Sequence, residues 1–239
     1  MISDFQGAGD GARTRDKRVS AVLRADSIPA VSPTPLGQVD LCYLFPSHFL
    51  NKRPRNNVTL KRKIVQCHNC YGVIFFDVTT AKSLGSWCPI SDRVVVPILV
   101  AKPLNLGIVQ VYAPTPDSED VEVEKFCEEI EGAKGHLKSQ YIKIIMGDFN
   151  ATVGDQRAED VVGPSGIGTV NERGSRLIEC CQINDFTITN TWYQNQLRRQ
   201  WTWKSPGDGS RNKIDYILIQ KRFRNAVKTS KSLPGADCV

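Results

Sequence analysis

The chain reads Ile144-Ile145-Met146-Gly147-Asp148-Phe149-Asn150-Ala151-Thr152-Val153-Gly154, and this stretch decides the fold. An apolar run that stops abruptly at a carboxylate reads as a buried strand ending at a polar rim. Residues two apart in an extended chain share a face, so Asp148 and Asn150 are expected to point the same way. A carboxylate beside an amide suits chemistry on a phosphate ester: one group positions or deprotonates water, the other holds a phosphate oxygen. The same residues also suit a strand running into an Asx-type turn. What separates the two readings is the company Asp148 keeps.

Working outward, short strands and two helices flank this stretch. Tyr71 to Val78, Arg93 to Val100 and Asn105 to Tyr112 are rich in Val, Ile and Phe and are bounded by Gly and Pro, as strands are. Pro97 inside the second marks an edge or a bulge. Val123, Phe126, Cys127, Ile130, Ala133 and Leu137 recur at helical steps. Asp117, Glu119 and Asp120 lie where the dipole of that helix favours anions, so they read as a helix start, not a metal site. Tyr141 to Met146 is the strand that delivers Asp148, and Glu172 to Asn184 is a second helix. Strands return at Phe186 to Asn190, Gln200 to Lys204, Lys213 to Ile219 and Ala226 to Ser232. Strand, helix, strand, helix and a run of strands indicate a layered α+β fold.

Residues 1–65 look different. Pro29, Pro33, Pro35, Pro46 and Pro54 interrupt them, and the pattern predicts mostly loop, with a short helix near Arg18–Arg24. This divides the chain into an irregular segment, 1–65, and a folded part, 66–239. The first segment holds eleven Lys/Arg against five Asp/Glu, which accounts for the whole net charge of +6. Beyond it, Asp117 to Glu131 is acidic and Arg198 to Lys231 basic; a basic face suits a polyanion, though charge runs also serve simply as solvated surface. No apolar run approaches membrane-spanning length. Met1-Ile2-Ser3-Asp4 does not start a secretory leader, so the expectation is an intracellular protein, nuclear or cytoplasmic and not secreted. The eight cysteines are irregularly spaced and are expected as free thiols. Cys67-His68-Asn69-Cys70 has no second pair to complete a zinc site.

Polar residues gather at strand ends: Tyr112, then Asp148 with Asn150, then Asn190, then Asp215. Asp215 interrupts an otherwise apolar strand, and burial of a lone carboxylate is costly, so a partner such as His, Arg or a hydroxyl is expected. Val-Tyr-Ala-Pro-Thr (111–115), Met-Gly-Asp-Phe-Asn-Ala-Thr-Val-Gly (146–154), Asn-Glu-Arg-Gly-Ser-Arg-Leu (171–177), Thr-Asn-Thr-Trp-Tyr (189–193), Trp-Thr-Trp-Lys-Ser-Pro (201–206) and Arg-Asn-Lys-Ile-Asp-Tyr-Ile-Leu (211–218) occur in that order. From about residue 71 to the end, these blocks resemble the endonuclease/exonuclease/phosphatase family, in particular the endonucleases of RTE/BovB-type non-LTR retrotransposons.

The resemblance implies a two-sheet β-sandwich flanked by helices, here incomplete, and magnesium-assisted hydrolysis of phosphodiesters in DNA. By the same resemblance, Asp148 orients or deprotonates water, Asn150 holds the scissile phosphate, Tyr112 donates to the phosphate region and Asp215 orients a histidine. Asn190, Trp203, Arg211 and Lys213 are the candidate substrate contacts; for Trp203, stacking on a nucleotide stands beside the alternative of a place in the core. The family also carries an early Glu as metal ligand and a closing Ser-Asp-His. Residues 1–65 contain no Glu, and Pro234-Gly235-Ala236-Asp237-Cys238-Val239 lacks the closing motif, so no metal ligand is assigned and at best weak nuclease activity is expected. The alternatives are a non-catalytic remnant that binds nucleic acid or protein, and a phosphatase for inositol phosphates or nucleotides.

Overall fold

The computed structural model describes residues 82–205 and 209–232 in full, and 17–23, 39–44, 62–66, 73–77 and 233–234 as backbone. His48, the Cys67–Cys70 stretch and residues 235–239 lie outside the described residues.

The larger sheet has six strands in the order β5 (Leu84–Pro89), β6 (Val94–Leu99), β7 (Leu106–Tyr112), β8 (Ile142–Asp148), β12 (Asp215–Gln220) and β9 (Phe186–Ile188). β7 and β8 are parallel, so the chain must cross over between them, and helix α1 (Asp120–Gly135) makes that crossing. β8 is buried on both faces because Ile and Met occupy both parities of the strand. On one face Val109, Val111 and Ile145 pack under Phe126, Ile130 and Ala133 of α1, and under Leu177 and Cys181 of helix α2 (Glu172–Ile183). On the other face Ile108, Ile144, Met146, Ile217 and Ile219 pack with Val227.

Val227 opens strand β13 (Val227–Pro234), an edge of the second sheet. That sheet runs β13, β1 (Lys17–Leu23), β2 (Val39–Leu44), β4 (Val73–Asp77), β3 (Arg62–Gln66). It is built from both ends of the chain: Lys17 pairs with Pro234 and Val22 with Thr229. Here the structure departs from the sequence reading. Lys17–Leu23 is a strand, where a short helix was expected, and 39–44 and 62–66 are strands inside a segment expected to be loop. Short runs between prolines carry little local signal; what makes them strands is a hydrogen-bonding partner far away in sequence. The sheet draws β1 and β2 from before residue 65 and β4 and β13 from after it, and β3 straddles that position.

The other elements fall close to expectation. α1 starts at acidic residues, with Asp120 and Glu122 in its first turn. Pro97 sits in β6 where the ladder to β7 is interrupted: Val95 pairs with Gln110 and the pairing resumes at Ile98 with Gly107. The expected strand Gln200–Lys204 shrinks to β10 (Trp203–Lys204), which pairs with β11 (Arg211–Asn212) in a two-stranded hairpin. Cys88, Cys127, Cys180 and Cys181 are free.

Ile144 lies at the centre of the inner face and is fully buried. Ile144→Val is expected to cost about 1 kcal/mol and Ile144→Ala about 2–5 kcal/mol, by loss of buried methylenes and the cavity left behind. Urea unfolding curves check this; equal midpoints for the two variants would place Ile144 outside the core.

Candidate active site

Three adjacent strands bring three polar side chains into one row. Tyr112 ends β7 and pairs with Asp148 at the end of β8. Asp148 in turn pairs with Asp215 at the start of β12. Parity along the strands places Asp148 and Asp215 on the face of Ile144, Met146 and Ile217, the face toward the second sheet. Directly opposed residues in antiparallel strands have Cβ atoms about 4.5–5.5 Å apart. Two carboxyl groups are therefore held side by side, Asp148 at 6% exposure and Asp215 at 0%.

That arrangement changes their chemistry. Burial pushes the Asp148 carboxyl up to about 7, against the pull of the Asn150 N–H. The Asp215 carboxyl is raised well above the usual carboxylate range, first by burial and then by Asp148. Among the described residues, neither oxygen of Asp215 meets a partner in hydrogen-bonding geometry. The Thr202 hydroxyl, which accepts from the backbone N–H of Ile214 at 3.0 Å and of Asp215 at 3.3 Å, lies near enough to oppose the rise. The sequence reading expects His, Arg or a hydroxyl as partner for Asp215. A hydroxyl, that of Thr202, lies beside it, and Asp215 also faces a second acid, Asp148, whose repulsion protonation relieves.

Asn150 also differs from expectation. Its backbone lies in the left-handed region (φ 47°), so the chain is no longer extended after β8. Its N–H donates to Asp148 Oδ1 at 2.9 Å, which is the Asx-type turn. Its side-chain Nδ2 donates to the carbonyl of Ala113 at 2.9 Å, tying the exit of β8 to that of β7. The shared direction argued from extended spacing is thus replaced by a turn that brings the Asn150 amide to Ala113. The turn and the gathering of acids coexist.

The four implied substrate contacts divide into two pairs. Asn190 and Lys213 face the framework. Asn190 Nδ2 donates to the Asp215 carbonyl at 2.8 Å and its Oδ1 accepts from Ile217 N at 3.3 Å, bracing the start of β12. Lys213 is 3% exposed, and its ammonium donates to the carbonyls of Asn190 (2.9 Å) and Ser165 (3.3 Å). Burial pulls its pKa down to about 8. Trp203 and Arg211 instead face outward on the hairpin, Trp203 at 39% exposure and Arg211 stacked on Trp201 at 5.1 Å. The hairpin joins the site through Thr202, whose N–H donates to Asn212 O.

Sequence reasoning missed Thr202 and Tyr216. The Tyr216 hydroxyl accepts from Val153 N at 3.1 Å and donates to Lys213 O at 2.5 Å, so it ties the loop after Asn150 to the approach to Asp215. The only sequence signal was its place next to Asp215, on the opposite face of the strand.

Among the described residues, no group of three or more His, Cys, Asp or Glu side chains gathers as metal ligands would. Magnesium prefers ionised oxygen ligands and keeps several waters. Among the described residues, two carboxyls without a third such ligand do not by themselves form a site for it. No helix among the described residues is long and apolar enough to cross a membrane.

Over 148 residues, 62% of its length, the chain is 43% identical to craniofacial development protein 2 of Bos taurus. It is 40% identical to the protein of the same name from Tragulus javanicus over an equal span. It spans about a quarter of the length of these two relatives (25% and 26%). No family model matches. Among solved structures, the endonuclease domain of TRAS1, a telomere-specific non-LTR retrotransposon, superposes with a TM-score of 0.48 at 13% identity, over 75% of this chain and 82% of that one. The AP endonuclease LMAP of Leishmania major superposes with a TM-score of 0.49 at 13% identity, over 74% and 72% of the two chains.

The raised carboxyls set a sign for stability against pH. Between about pH 4, where exposed carboxyls titrate, and neutrality, the folded chain holds more protons at Asp148 and Asp215 than the unfolded one. Their contribution is fully present below that range and is lost as pH rises through the folded values. Lys213 titrates higher, near 8, and leaves the acid window to the two acids. The melting temperature is expected to fall from about pH 5 to pH 8. Asp215→Asn should flatten that fall and melt above the parent at the alkaline end. Scanning calorimetry across the range checks both; a parent whose stability climbs steadily with pH contradicts the arrangement.

Proposed function

We propose that the row Tyr112, Asp148, Asp215, with Asn150 at its end, is a phosphodiester-directed hydrolytic site of endonuclease type that acts on DNA. The observation that carries the reading is the pairing of Asp148 with Asp215 at the sheet's polar rim, next to Tyr112. A carboxyl pushed up to about 7 is matched to proton transfer at neutral pH, the property a general base needs. In its ionised form Asp148 draws a proton from water. Asn150, tied to Ala113 by one amide proton, keeps the other and its Oδ1 for a phosphate oxygen or that water. Tyr112 supplies a phenolic donor on the neighbouring strand. Among the described residues, no hydrogen-bond donor meets the oxygens of Asp215. Because residues 1–65 also contain no Glu to serve as the metal ligand that the family resemblance implies, we read this chain as a weak enzyme. The similarity to craniofacial development protein 2 and the ordered sequence blocks support the family reading, and a location inside the cell, nuclear or cytoplasmic, is consistent with a DNA substrate.

Nicking of supercoiled plasmid, with and without magnesium, tests this. Activity is expected to rise with pH through neutrality as Asp148 ionises. Asp148→Asn should lower it by about 100-fold or more. Full activity in that variant, or a rate independent of pH, removes Asp148 from the chemistry. Release of inorganic phosphate from nucleotides or inositol phosphates, without nicking, would favour the phosphatase reading.

A second reading, a non-catalytic DNA-binding remnant, draws on the hairpin. Trp203 is exposed beside Lys204 and Arg211, and Arg198 lies just before them. Exposed aromatics stack on unpaired bases for about 1–3 kcal/mol each, and each phosphate contact steepens the salt dependence by about 0.9 in the logarithmic slope. Trp203→Ala is expected to weaken single-stranded DNA binding about tenfold or more. Lys204→Ala should reduce the salt slope by about one contact. Fluorescence anisotropy over a salt series measures both; unchanged affinity and slope would place DNA elsewhere on the surface.

A further inference from the structure

We propose that Asn171 is a positioning residue: together with Gly174 it clamps the loop that carries Asn150 onto the start of α2, and so holds the hydrogen bond between Asn150 and Asp148. This rests on the reading of the Asp148 row as the functional site.

A helix N-cap side chain ordinarily satisfies one free N–H of the first turn. Asn171 Oδ1 does this for Gly174 N at 2.8 Å, and also accepts from Thr152 N at 3.0 Å, which lies outside the helix. The Asn171 N–H donates back to the Thr152 carbonyl at 3.0 Å. Asn171 and Thr152 therefore exchange two hydrogen bonds, one through the Asn171 side chain and one through its backbone. Gly174 allows the approach: a Cβ there would stand 1.9 Å from the Thr152 carbonyl oxygen. Thr152 comes two residues after Asn150 in the chain. The next residue, Val153, is held from the other side by the Tyr216 hydroxyl.

The same helix turn reaches the second loop of the site. Arg173 Nη2 donates to the Ser118 carbonyl at 2.9 Å, in the loop that leaves Ala113. Ala113 is the residue whose carbonyl receives the Asn150 amide. The first turn of α2 thus grips both loops that Asn150 joins. Capping alone calls for only the bond to Gly174.

The test uses the full isotope-labelled chain and two signals at Asn150: exchange of its backbone N–H with solvent, and the resonance of its side-chain amide. Asn171→Ala is expected to speed exchange at Asn150 about tenfold, and to move the side-chain signal toward that of a free amide. Asn171→Asp, which keeps the acceptor, should restore both. Leu177→Ala removes core packing from the same helix and should leave both Asn150 signals in place. Unchanged Asn150 signals in Asn171→Ala, or the same change in Leu177→Ala, overturn the proposal. If Asn171→Ala does not fold, Asn171→Ser replaces it, because serine caps comparably through a shorter arm. A selective change at Asn150 in that variant supports the clamp, and none overturns it. Because these signals do not depend on turnover, absence of plasmid nicking counts against the hydrolytic reading and leaves the clamp standing.

Discussion

Two carboxyl groups buried opposite each other on neighbouring strands are the constraint on which the rest of the site depends. Side by side in a low dielectric, they cannot both ionise without strong repulsion. Burial raises both pKa values, and repulsion from Asp148 raises that of Asp215 further. The arrangement works against stability at alkaline pH, so something other than local energetics keeps it. An acid raised to about 7, as Asp148 is, is matched to proton transfer near neutral pH.

The polar frame around the pair is more complete than the pair itself. Asn190 spends both ends of its amide on the backbone of β12, and Thr202 caps the amides of Ile214 and Asp215. Tyr216 joins Val153 to the Lys213 carbonyl, and the Lys213 ammonium joins Asn190 to Ser165. Each bond satisfies a buried group that would otherwise be costly. Their joint effect is to fix the backbone on either side of the two acids.

Topology explains why these residues meet. The parallel pairing of β7 with β8 forces α1 across the sheet, and the antiparallel return of β12 sets Asp215 against Asp148. The second sheet closes over the inner face with strands from both ends of the chain. The site lies where β7 and β8 end and β12 begins, so loops carry its adjustable parts. Those loops are tied down by the first turn of α2 and by the Trp203 hairpin, whose Thr202 reaches the Asp215 amide.

The sequence by itself determined which residues lie on strands and helices in the central part of the chain. The apolar runs before Tyr112 and Asp148 and the helical spacing of Val123 to Leu137 are local patterns, written in side-chain periodicity. It also marked Asp215 as out of place among apolar neighbours. Tertiary structure decided the rest. Asp215 faces another acid because of strand register, and register depends on partners distant in sequence. Asn150 bends into a turn because the Asp148 side chain captures its N–H, which overrides extended spacing. Asn190 and Lys213 face inward because a buried backbone needed partners. Lys17–Leu23 is a strand because Val227–Pro234 lies beside it, and no pattern within seven residues can announce a partner at the far end of the chain.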